Sequence, residues 1–430
     1  MLAAPLAHAQ NAASVLAQAE RDRRNFHTAS ALRGFEQAAA DPQVAADAWL
    51  GSGRIRAFRG WQAEGAFPGW HEEVDQRPLA LAAYHRAAEL RPTWAEPHVA
   101  IGEALLLDGR ATEARTAFEQ ALKLTAGHPG AVSGLARATG APAADPDADA
   151  IAAIDAAMKT RQSANQVGLA RAFIASRPDS PRIFDAYTRL LSGLQGWADG
   201  PVADIDAAID GRLALRPDPL AYSAAINLLN TRGVRLDQAR ELAVAGMAAG
   251  ERFITENEPS YKLDGKVQAS RDRNRAQFTD LLGWTAFLQG DLTTAGQRLD
   301  EAARYSSGTD FLNQFHRGQL ARHQGDADTA RERFFDALSL DAPPPLVPLR
   351  ETAETAIAAI YAAEGTPAAD AATAIARELE RRREDRRRAL LASAVGRPLP
   401  MLPTTTVAGT PVDLLAERGN VTLLNFFAAW

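Results

Sequence analysis

The stretch H-E-E-V-D at residues 71 to 75 contains residue types that bind metal ions. On the helix of a zinc protease, two histidines lie four residues apart with a glutamate beside the first. Asp75 occupies the place of the second histidine here, and a His71–Asp75 pair alone would bind a metal only weakly. None of the other histidines pairs at metal spacing with a third ligand nearby, so we predict no metal site.

Two further patterns lack the composition or spacing that a nucleotide-binding or catalytic site requires. Residues 51 to 60, G-S-G-R-I-R-A-F-R-G, lack the third glycine of a dinucleotide-binding loop and lie in a helical context. The chain has no Walker loop and no cysteine, which excludes disulfides, thiolate zinc sites and a cysteine nucleophile within these 430 residues. We therefore predict neither a cofactor nor a catalytic residue in this chain.

The charge distribution argues against a general nucleic-acid-binding function. The formal net charge is −6, whereas such proteins usually carry a basic surplus. The densest charge run, R-R-R-E-D-R-R-R at residues 381 to 388, would pair opposite charges four residues apart on a helix. The predicted pairs are Glu378–Arg382, Arg381–Asp385 and Glu384–Arg388. We predict a solvated spacer helix, with a contact to anionic lipid or to a partner as the alternative.

The elements that surround these residues are repeated along the chain. Residues 95 to 128 share a pattern with the stretch 34 residues before them. A small residue is needed where two antiparallel helices approach closely, and a large one fills the space between adjacent hairpins. An alanine, a large side chain and a second alanine recur at matched positions: Ala114, Phe118 and Ala121 follow Ala80, Tyr84 and Ala87.

This pattern resembles the tetratricopeptide repeat, a pair of antiparallel helices of the same length. Gly102 lies in the first helix, and Gly109 lies at the turn, where a left-handed backbone is needed. Fuller copies span residues 276–309 and 311–344, and weaker copies begin near Leu220 and Ala12. Their matched positions are Gly283, Gly290, Ala295, Leu299 and Ala302, then Gly318, Gly325, Ala330, Phe334 and Ala337, and in the weaker copies Ala239 and Ala31, Phe35 and Ala38. The resemblance implies an all-α superhelix.

The repeats and the composition predict the organisation of the chain. The predicted parts are a signal-peptide remnant at 1–10, repeats at 11–138, a Pro/Ala/Asp-rich linker at 139–149, further helical repeats at 150–365, a charged helical linker at 366–395 and a separate segment at 396–430. One repeat is about 17 residues too long because of a loop at 59–78. Trp61, Phe67 and Trp70 of this loop are predicted to cover a neighbouring hairpin or to touch a partner.

Tetratricopeptide arrays usually bind peptides or proteins along a concave face built from the first helix of each hairpin. The repeat template places five residues on that face: Trp284, Phe287, Phe315, Gln319 and Arg322. Packing between repeats is the alternative role for each of them. The resemblance thus implies a protein or peptide partner, and no apolar run reaches the length of about 18 residues that a transmembrane helix requires.

Residues 396 to 430 differ from the rest of the chain in composition. T-T-T-V-A-G-T-P-V-D-L predicts a β-hairpin turning at Ala408-Gly409, D-L-L-A-E-R-G-N predicts a short helix, and V-T-L-L-N-F-F predicts a strand. The order and spacing resemble the start of an α/β thioredoxin-like domain of the TlpA-like thiol–disulfide reductase and peroxiredoxin group. The matching residues are Gly396, Pro400, Gly409, Val412, Leu414, Arg418, Gly419, Leu424, Asn425, Phe426, Ala428 and Trp430, with Phe427 in place of the usual tryptophan.

In that group a Cys-x-x-Cys pair with a nucleophilic first cysteine comes next. The sequence stops at Trp430, one residue before it, so we expect this chain to be a fragment of a longer protein. The resemblance implies an extracytoplasmic thiol–disulfide oxidoreductase whose helical array recruits a protein client, inactive without its cysteines. Two alternatives remain open, a non-enzymatic scaffold that binds peptides and a peroxiredoxin-type peroxidase, although Trp430 favours the reductase.

The first ten residues bear on the compartment. Ala7-His8-Ala9 before Gln10 has the small-x-small pattern of a signal-peptidase site. The preceding apolar stretch is short and has no basic residue. Either a signal peptide has lost its beginning, or the chain has an alanine-rich disordered start. The first interpretation predicts a periplasmic or otherwise extracytoplasmic bacterial protein.

Overall fold

In a computed structural model of the protein, the described residues are 3–62, 74–140, 147–257, 266–340, 346–394, 404–405 and 411–412. The chain divides into two units, Met1–Ala353 and Glu354–Trp430. Every element described in the first unit is helical, which confirms the prediction of an all-α array for this part.

Seven helices make up the first part of the array, and consecutive helices pack against each other. They are α1 (Ala3–Arg24), α2 (Thr28–Ala38), α3 (Ala45–Ala57), α4 (Gln76–Leu90), α5 (Ala95–Leu107), α6 (Ala111–Leu124) and α7 (Pro129–Ala138). A π-helical turn, Phe58–Gln62, follows α3. Since α3 packs against α4, the extra residues predicted at 59–78 lie largely between the two helices of one hairpin.

The second part of the array continues in the same way. Its helices are α8 (Ala148–Lys159), α9 (Ser163–Ser176), α10 (Ile183–Gly196), α11 (Val202–Leu215), α12 (Pro219–Arg232), α13 (Leu236–Asn257), α14 (Lys266–Leu288), α15 (Leu292–Tyr305), α16 (Phe311–His323), α17 (Ala327–Leu338) and α18 (Val347–Ala363), the last of which continues into the second unit.

The core of each hairpin lies where the repeat pattern predicted it. Each predicted alanine of the second helices is buried, and the large residue between the alanines fills the space next to the first helix. The fully buried positions are Ala31, Phe35, Ala38, Ala80, Ala87, Ala114, Phe118, Ala121, Ala239, Ala295, Leu299, Ala302, Ala330, Phe334 and Ala337, and Tyr84 is only 3% exposed. The small–large–small pattern therefore describes the packing of the array directly.

The glycines of the first helices pack against these large residues. A Cβ atom on Gly102 would lie 2.6 Å from the ring of Phe118, and a Cβ atom on Gly318 would lie 2.7 Å from the ring of Phe334. Such a distance is shorter than van der Waals contact, so only glycine allows the two helices to approach this closely. Gly109 at the turn has φ +73°, the left-handed conformation predicted for it.

Ion pairs at the repeat spacing connect consecutive hairpins. Arg189 on α10 donates two hydrogen bonds to the carboxylate of Asp155 on α8, 34 residues earlier, at 2.6 and 3.0 Å. Arg137 pairs in the same way with Glu103, also 34 residues away. The pairing holds the pKa of Asp155 below its ordinary value, chiefly through the hydrogen bonds from Arg189. The region 150–215, in which the sequence shows no clear repeat motif, thus keeps the register of the array.

A second set of contacts connects the beginning of the first unit to α13. The carboxylate of Glu256 accepts hydrogen bonds from the backbone N–H and hydroxyl of Ser30, at 2.8 and 2.7 Å, and so satisfies a donor at the first turn of α2. Asn257 accepts from the Thr28 hydroxyl at 2.8 Å and donates to the carbonyl of Phe26 at 3.1 Å. We call these five residues the clasp.

Two charged groups extend the clasp. The guanidinium of Arg216 lies between two aromatic rings, 4.4 Å from the ring of Phe26 and 4.1 Å from the ring of Phe184. Arg252 on α13 pairs with Asp22 on α1 at 3.6 Å. Both helices of the first hairpin, α1 and α2, are therefore connected to residues in the second half of the first unit.

Within its described residues, the second unit contains the end of α18, helix α19 (Ala368–Ala394) and one pair of short strands. Two predicted ion pairs of α19 are present: Arg382 donates to Glu378 at 2.6 Å, and Arg381 donates to Asp385 at 2.8 Å. Arg381 also donates to Glu378 at 2.8 Å, and the hydrogen bonds from Arg381 and then Arg382 lower the pKa of Glu378 to about 2. Arg388 pairs with Asp385, three residues earlier, at 2.6 Å, instead of the predicted Glu384, four residues earlier. Both spacings bring side chains within reach of each other on a helix, so the sequence alone does not decide between them.

Strands β1 (Thr404–Thr405) and β2 (Pro411–Val412) pair antiparallel, with Thr404 opposite Val412. This pairing agrees with the β-hairpin predicted for the segment. Its turn, the predicted short helix and the strand ending at Trp430 lie outside the described residues, as do Phe67, Trp70, the side chain of Trp61 and His71. None of the helices in the described ranges is both long and apolar enough to span a bilayer.

Candidate functional site

The five residues predicted for the binding face lie on α14 and α16 in different surroundings. Trp284, Phe287 and Gln319 are half-buried, and Arg322 is exposed. Phe315 is only 4% exposed and packs against Phe334 at 5.9 Å between ring centroids. The structure therefore brings Trp284 and Phe287 together at a surface and places Phe315 in the packing between helices, the alternative role considered for it. Binding by these residues stays a prediction.

Trp284 is the centre of an aromatic stack. Its ring lies 4.8 Å from that of Phe287 and 4.2 Å from that of His316, nearly parallel to both. Phe287 in turn contacts the exposed His323 edge-on at 5.4 Å. A half-buried tryptophan between two rings presents a rigid apolar surface with little conformational freedom to lose on binding.

The stack is held in place by a buried polar pair that the sequence analysis did not identify. His316 Nδ1 lies 2.8 Å from Asp280 Oδ2, and each side chain is 6% exposed. The other carboxylate oxygen of Asp280 accepts a hydrogen bond from Asn313 Nδ2 at 2.9 Å. Both oxygens of Asp280 are thus used to orient residues of α16, which fixes the imidazole ring under Trp284.

A cavity of about 1230 Å³ lies beside this stack. Its described lining comes from α12, the end of α13, the first two thirds of α14, the end of α15 with the segment that follows it, the first turn of α16, and Leu346. Asp280 and Asn313 belong both to the polar pair and to the lining. We call the surface formed by the half-buried Trp284 and Phe287, with the buried Asp280, Asn313 and His316 that support it, the α14–α16 face.

Asp310 lies at the mouth of the cavity and caps α16. Its carboxylate accepts a hydrogen bond from the backbone N–H of Asn313 at 2.7 Å. The outer edge of the residue reaches solvent. Crowding of protein around the carboxylate nevertheless raises the pKa of Asp310 above its ordinary value, and the negative charge of Asp280 raises it further.

Asn313 is buried beneath Asp310 and has an unused acceptor. Its Nδ2 donates to Asp280 and to the carbonyl of Leu299, at 2.9 and 3.0 Å, which fixes the orientation of the amide. Its Oδ1 accepts no hydrogen bond from the described part of the chain. The accessible area of this atom is below 1 Å², so a ligand could not reach it in this arrangement of the side chains.

A metal or cofactor site would need a different set of side chains. Nowhere in the described ranges do three histidine, aspartate or glutamate side chains come together as a metal-binding group. The α14–α16 face offers an aromatic surface, and such a surface can bind and orient a chain segment without changing any covalent bond.

No protein-family model matches the chain, and no curated protein matches it. Several solved helical-repeat structures are similar to it. The tetratricopeptide domain of P58(IPK) is 12% identical with a TM-score of 0.27, over 80% of this chain and 98% of that chain. A thermophilic tetratricopeptide protein of Thermus thermophilus is 18% identical with a TM-score of 0.21, over 61% of this chain and 98% of that chain. A chain of the Cut9–Hcn1 hetero-tetramer of the APC/C is 12% identical with a TM-score of 0.24, over 83% of this chain and 84% of that chain. Since these scores are low, the tetratricopeptide-like fold is assigned from the hairpins of this chain.

Proposed function

We propose that the chain is a non-enzymatic scaffold whose helical array binds an extended segment of a protein partner. The array carries a surface suited to binding, where the first helices of consecutive hairpins, α14 and α16, meet beside a cavity.

The observation that carries the proposal is the Trp284 stack. A large aromatic side chain that is not needed to fill the core lies at the surface, and the buried Asp280–His316 pair holds its neighbour in place. Tryptophans in such positions are frequent hot spots of protein–peptide interfaces. Phe287 extends the apolar surface on the other side.

Selection of peptides and substitution of Trp284 test the proposal. Random linear dodecapeptides are displayed against the full 430-residue chain, and the affinity of the selected sequences is measured by fluorescence anisotropy. Trp284→Ala is expected to weaken binding by about tenfold or more, since a hot-spot tryptophan contributes about 2 kcal/mol or more. Trp284→Phe, which keeps an aromatic ring, should recover part of the affinity.

The matched control is Trp94→Ala. Trp94 is also half-buried, but it lies under the guanidinium of Arg91, at 4.4 Å, away from the α14–α16 face. This variant should bind the selected peptides as the wild type does. Failure to select any peptide, or equal affinities of the wild type and a folded Trp284→Ala chain, would contradict the proposal.

A second candidate function concerns residues 396 to 430. We propose that in a longer parent protein this segment begins a thioredoxin-like domain, so that the array would bring a client to a thiol–disulfide oxidoreductase outside the cytoplasm. The order of matching residues up to Trp430 and the antiparallel pairing of Thr404–Thr405 with Pro411–Val412 support it. The signal-peptidase pattern at Ala7-His8-Ala9 supports the compartment.

The genomic DNA that follows codon 430 tests this second candidate. An open frame that begins with Cys-x-x-Cys is expected, and a stop codon would contradict it. The extended protein should then reduce insulin disulfides through a mixed disulfide with its first cysteine. The variant with both cysteines changed to serine should show no reduction, and residual activity in that variant would count against the assigned chemistry.

A further inference from the structure

Helix α19 separates its positive and negative charges onto different sides. Residues 381 to 388 contain six arginines and two acidic residues, in a chain whose formal net charge is −6. At 3.6 residues per turn, four of the arginines fall within an arc of about 140°, and we call them the arginine face: Arg382, Arg383, Arg386 and Arg387. Every acidic residue of α19 falls outside this arc: Asp370, Glu378, Glu380, Glu384 and Asp385.

The arginine face is accessible at Arg383 and Arg387. Arg387 is exposed and makes no ion pair within the described part of the chain. The side chain of Arg383 is 53% exposed, and its ion pair with Glu380 is 3.9 Å long, which exceeds the length of a hydrogen bond. Arg382 and Arg386 are half-buried. Two guanidinium groups one turn apart therefore present N–H donors to the outside of the helix.

This arrangement is suited to lipid phosphates. A planar guanidinium donates to two phosphate oxygens at once, and an anionic membrane presents many phosphates in one plane. Leu391, one turn after Arg387, is 55% exposed and can enter the boundary between headgroups and acyl chains. Since α19 contains no aromatic residue on which the bases of a single-stranded nucleic acid could stack, lipid phosphate fits this face better than nucleic acid.

We propose that the arginine face of α19 binds the surface of an anionic membrane. The helix lies on the surface, Arg383 and Arg387 donate to lipid phosphates, and Leu391 contacts the boundary below the headgroups. The attraction is mainly electrostatic, so binding weakens as salt is added, because the Debye length falls from about 10 Å at 0.1 M to about 3 Å at 1 M. This inference goes beyond the proposed scaffold function and does not depend on it.

Cosedimentation of the full 430-residue chain with phosphatidylglycerol vesicles measures this binding, with phosphatidylcholine vesicles as the neutral counterpart. The wild type should bind phosphatidylglycerol at low ionic strength, dissociate as salt is added, and leave phosphatidylcholine unbound. Arg383→Gln with Arg387→Gln should weaken binding by about 25-fold, since each basic residue near an anionic surface contributes about fivefold. Glutamine is as good a helix former as arginine, so α19 should stay folded.

The matched control is Arg377→Gln with Arg388→Gln, which removes the same charge from the side of α19 that carries the acidic residues. Arg377 is exposed, and Arg388 is 71% exposed and pairs with Asp385 at 2.6 Å. This variant should weaken binding by about fivefold or less, because only the long-range part of the attraction changes.

Three results would overturn the proposal. Equal losses in the two double variants would show that net charge, and not the arginine face, is responsible for the binding. Absence of binding to phosphatidylglycerol would contradict it directly. Tighter binding of a single-stranded RNA or of polyglutamate than of these vesicles, at equal concentrations of charged groups, would assign the face to another partner. The vesicle assay does not involve Trp284 or a peptide, so the scaffold function stands or fails separately.

Discussion

At the scale of single residues, a helical glycine that faces a large side chain sets how closely two helices approach. Gly102 faces Phe118, Gly283 faces Leu299, and Gly318 faces Phe334, each with room for a hydrogen atom only. The sequence predicted the positions of these glycines and large residues, because their types recur at fixed spacing, but not which glycine faces which large residue. It did not predict the buried hydrogen bonds among Asp280, Asn313 and His316, because the residue type alone does not indicate whether an aspartate, asparagine or histidine is buried.

Replacing Gly318 by alanine should destabilise the array. The added methyl group would lie 2.7 Å from the Phe334 ring, which is fully buried, and overpacking of this kind costs about 1–3 kcal/mol. Gly168→Ala is the control, because nothing lies near the added atom and alanine favours a helix over glycine by about 0.5–1 kcal/mol. Urea denaturation measures both. A neutral Gly318→Ala would show that the helices are not in close contact there.

At the scale of elements, the hairpins were predictable and their polar connections were not. The alanine–large–alanine spacing predicted the second helices α6, α15 and α17 and their buried faces. The Asp155–Arg189 pair also lies at the repeat spacing, in a region where the apolar pattern is weak. The sequence could not show which of many arginines and aspartates pair, because a helix surface offers each of them several partners.

The pair between α8 and α10 should stabilise the array in a pH-dependent way. In a double-mutant cycle with Asp155→Asn and Arg189→Gln, we expect a coupling of about 0.5–1 kcal/mol at neutral pH, since both side chains are partly exposed. The pKa of Asp155 is lowered from 3.8, so the coupling should persist above pH 3.8 and disappear as the pH falls through the lowered value. Coupling that is unchanged in acid would rule out the carboxylate as its source.

At the scale of the whole unit, the clasp connects parts of the chain that are far apart in sequence. Glu256 and Ser30 are 226 residues apart, and the hydrogen bonds between them satisfy a donor at the start of α2. A repeat pattern describes only neighbouring hairpins, so this contact could not be predicted from it. The clasp residue Asn257 also lines the cavity, so the cavity lies next to this contact.

Removal of the clasp should loosen the first hairpin more than the rest of the unit. In Glu256→Ala the first turn of α2 loses its acceptor, and the backbone amides of α2 should exchange hydrogen faster, about fivefold or more for a loss of about 1 kcal/mol. Glu241→Ala, an exposed glutamate on the same helix α13, is the control. Exchange that is equal in the two variants, measured by mass spectrometry, would mean that the contact contributes little in solution.

The proposed scaffold function requires that the array binds a peptide along the α14–α16 face. Hydrogen exchange of the full chain with and without a saturating selected peptide tests it most directly. We predict slower exchange in Lys266–Leu288 and Phe311–His323 and unchanged exchange in Ala95–Leu107 and Ala111–Leu124, which form a hairpin of the same type elsewhere in the array. Protection that appears in the latter hairpin, or no protection in α14 and α16, would contradict the account.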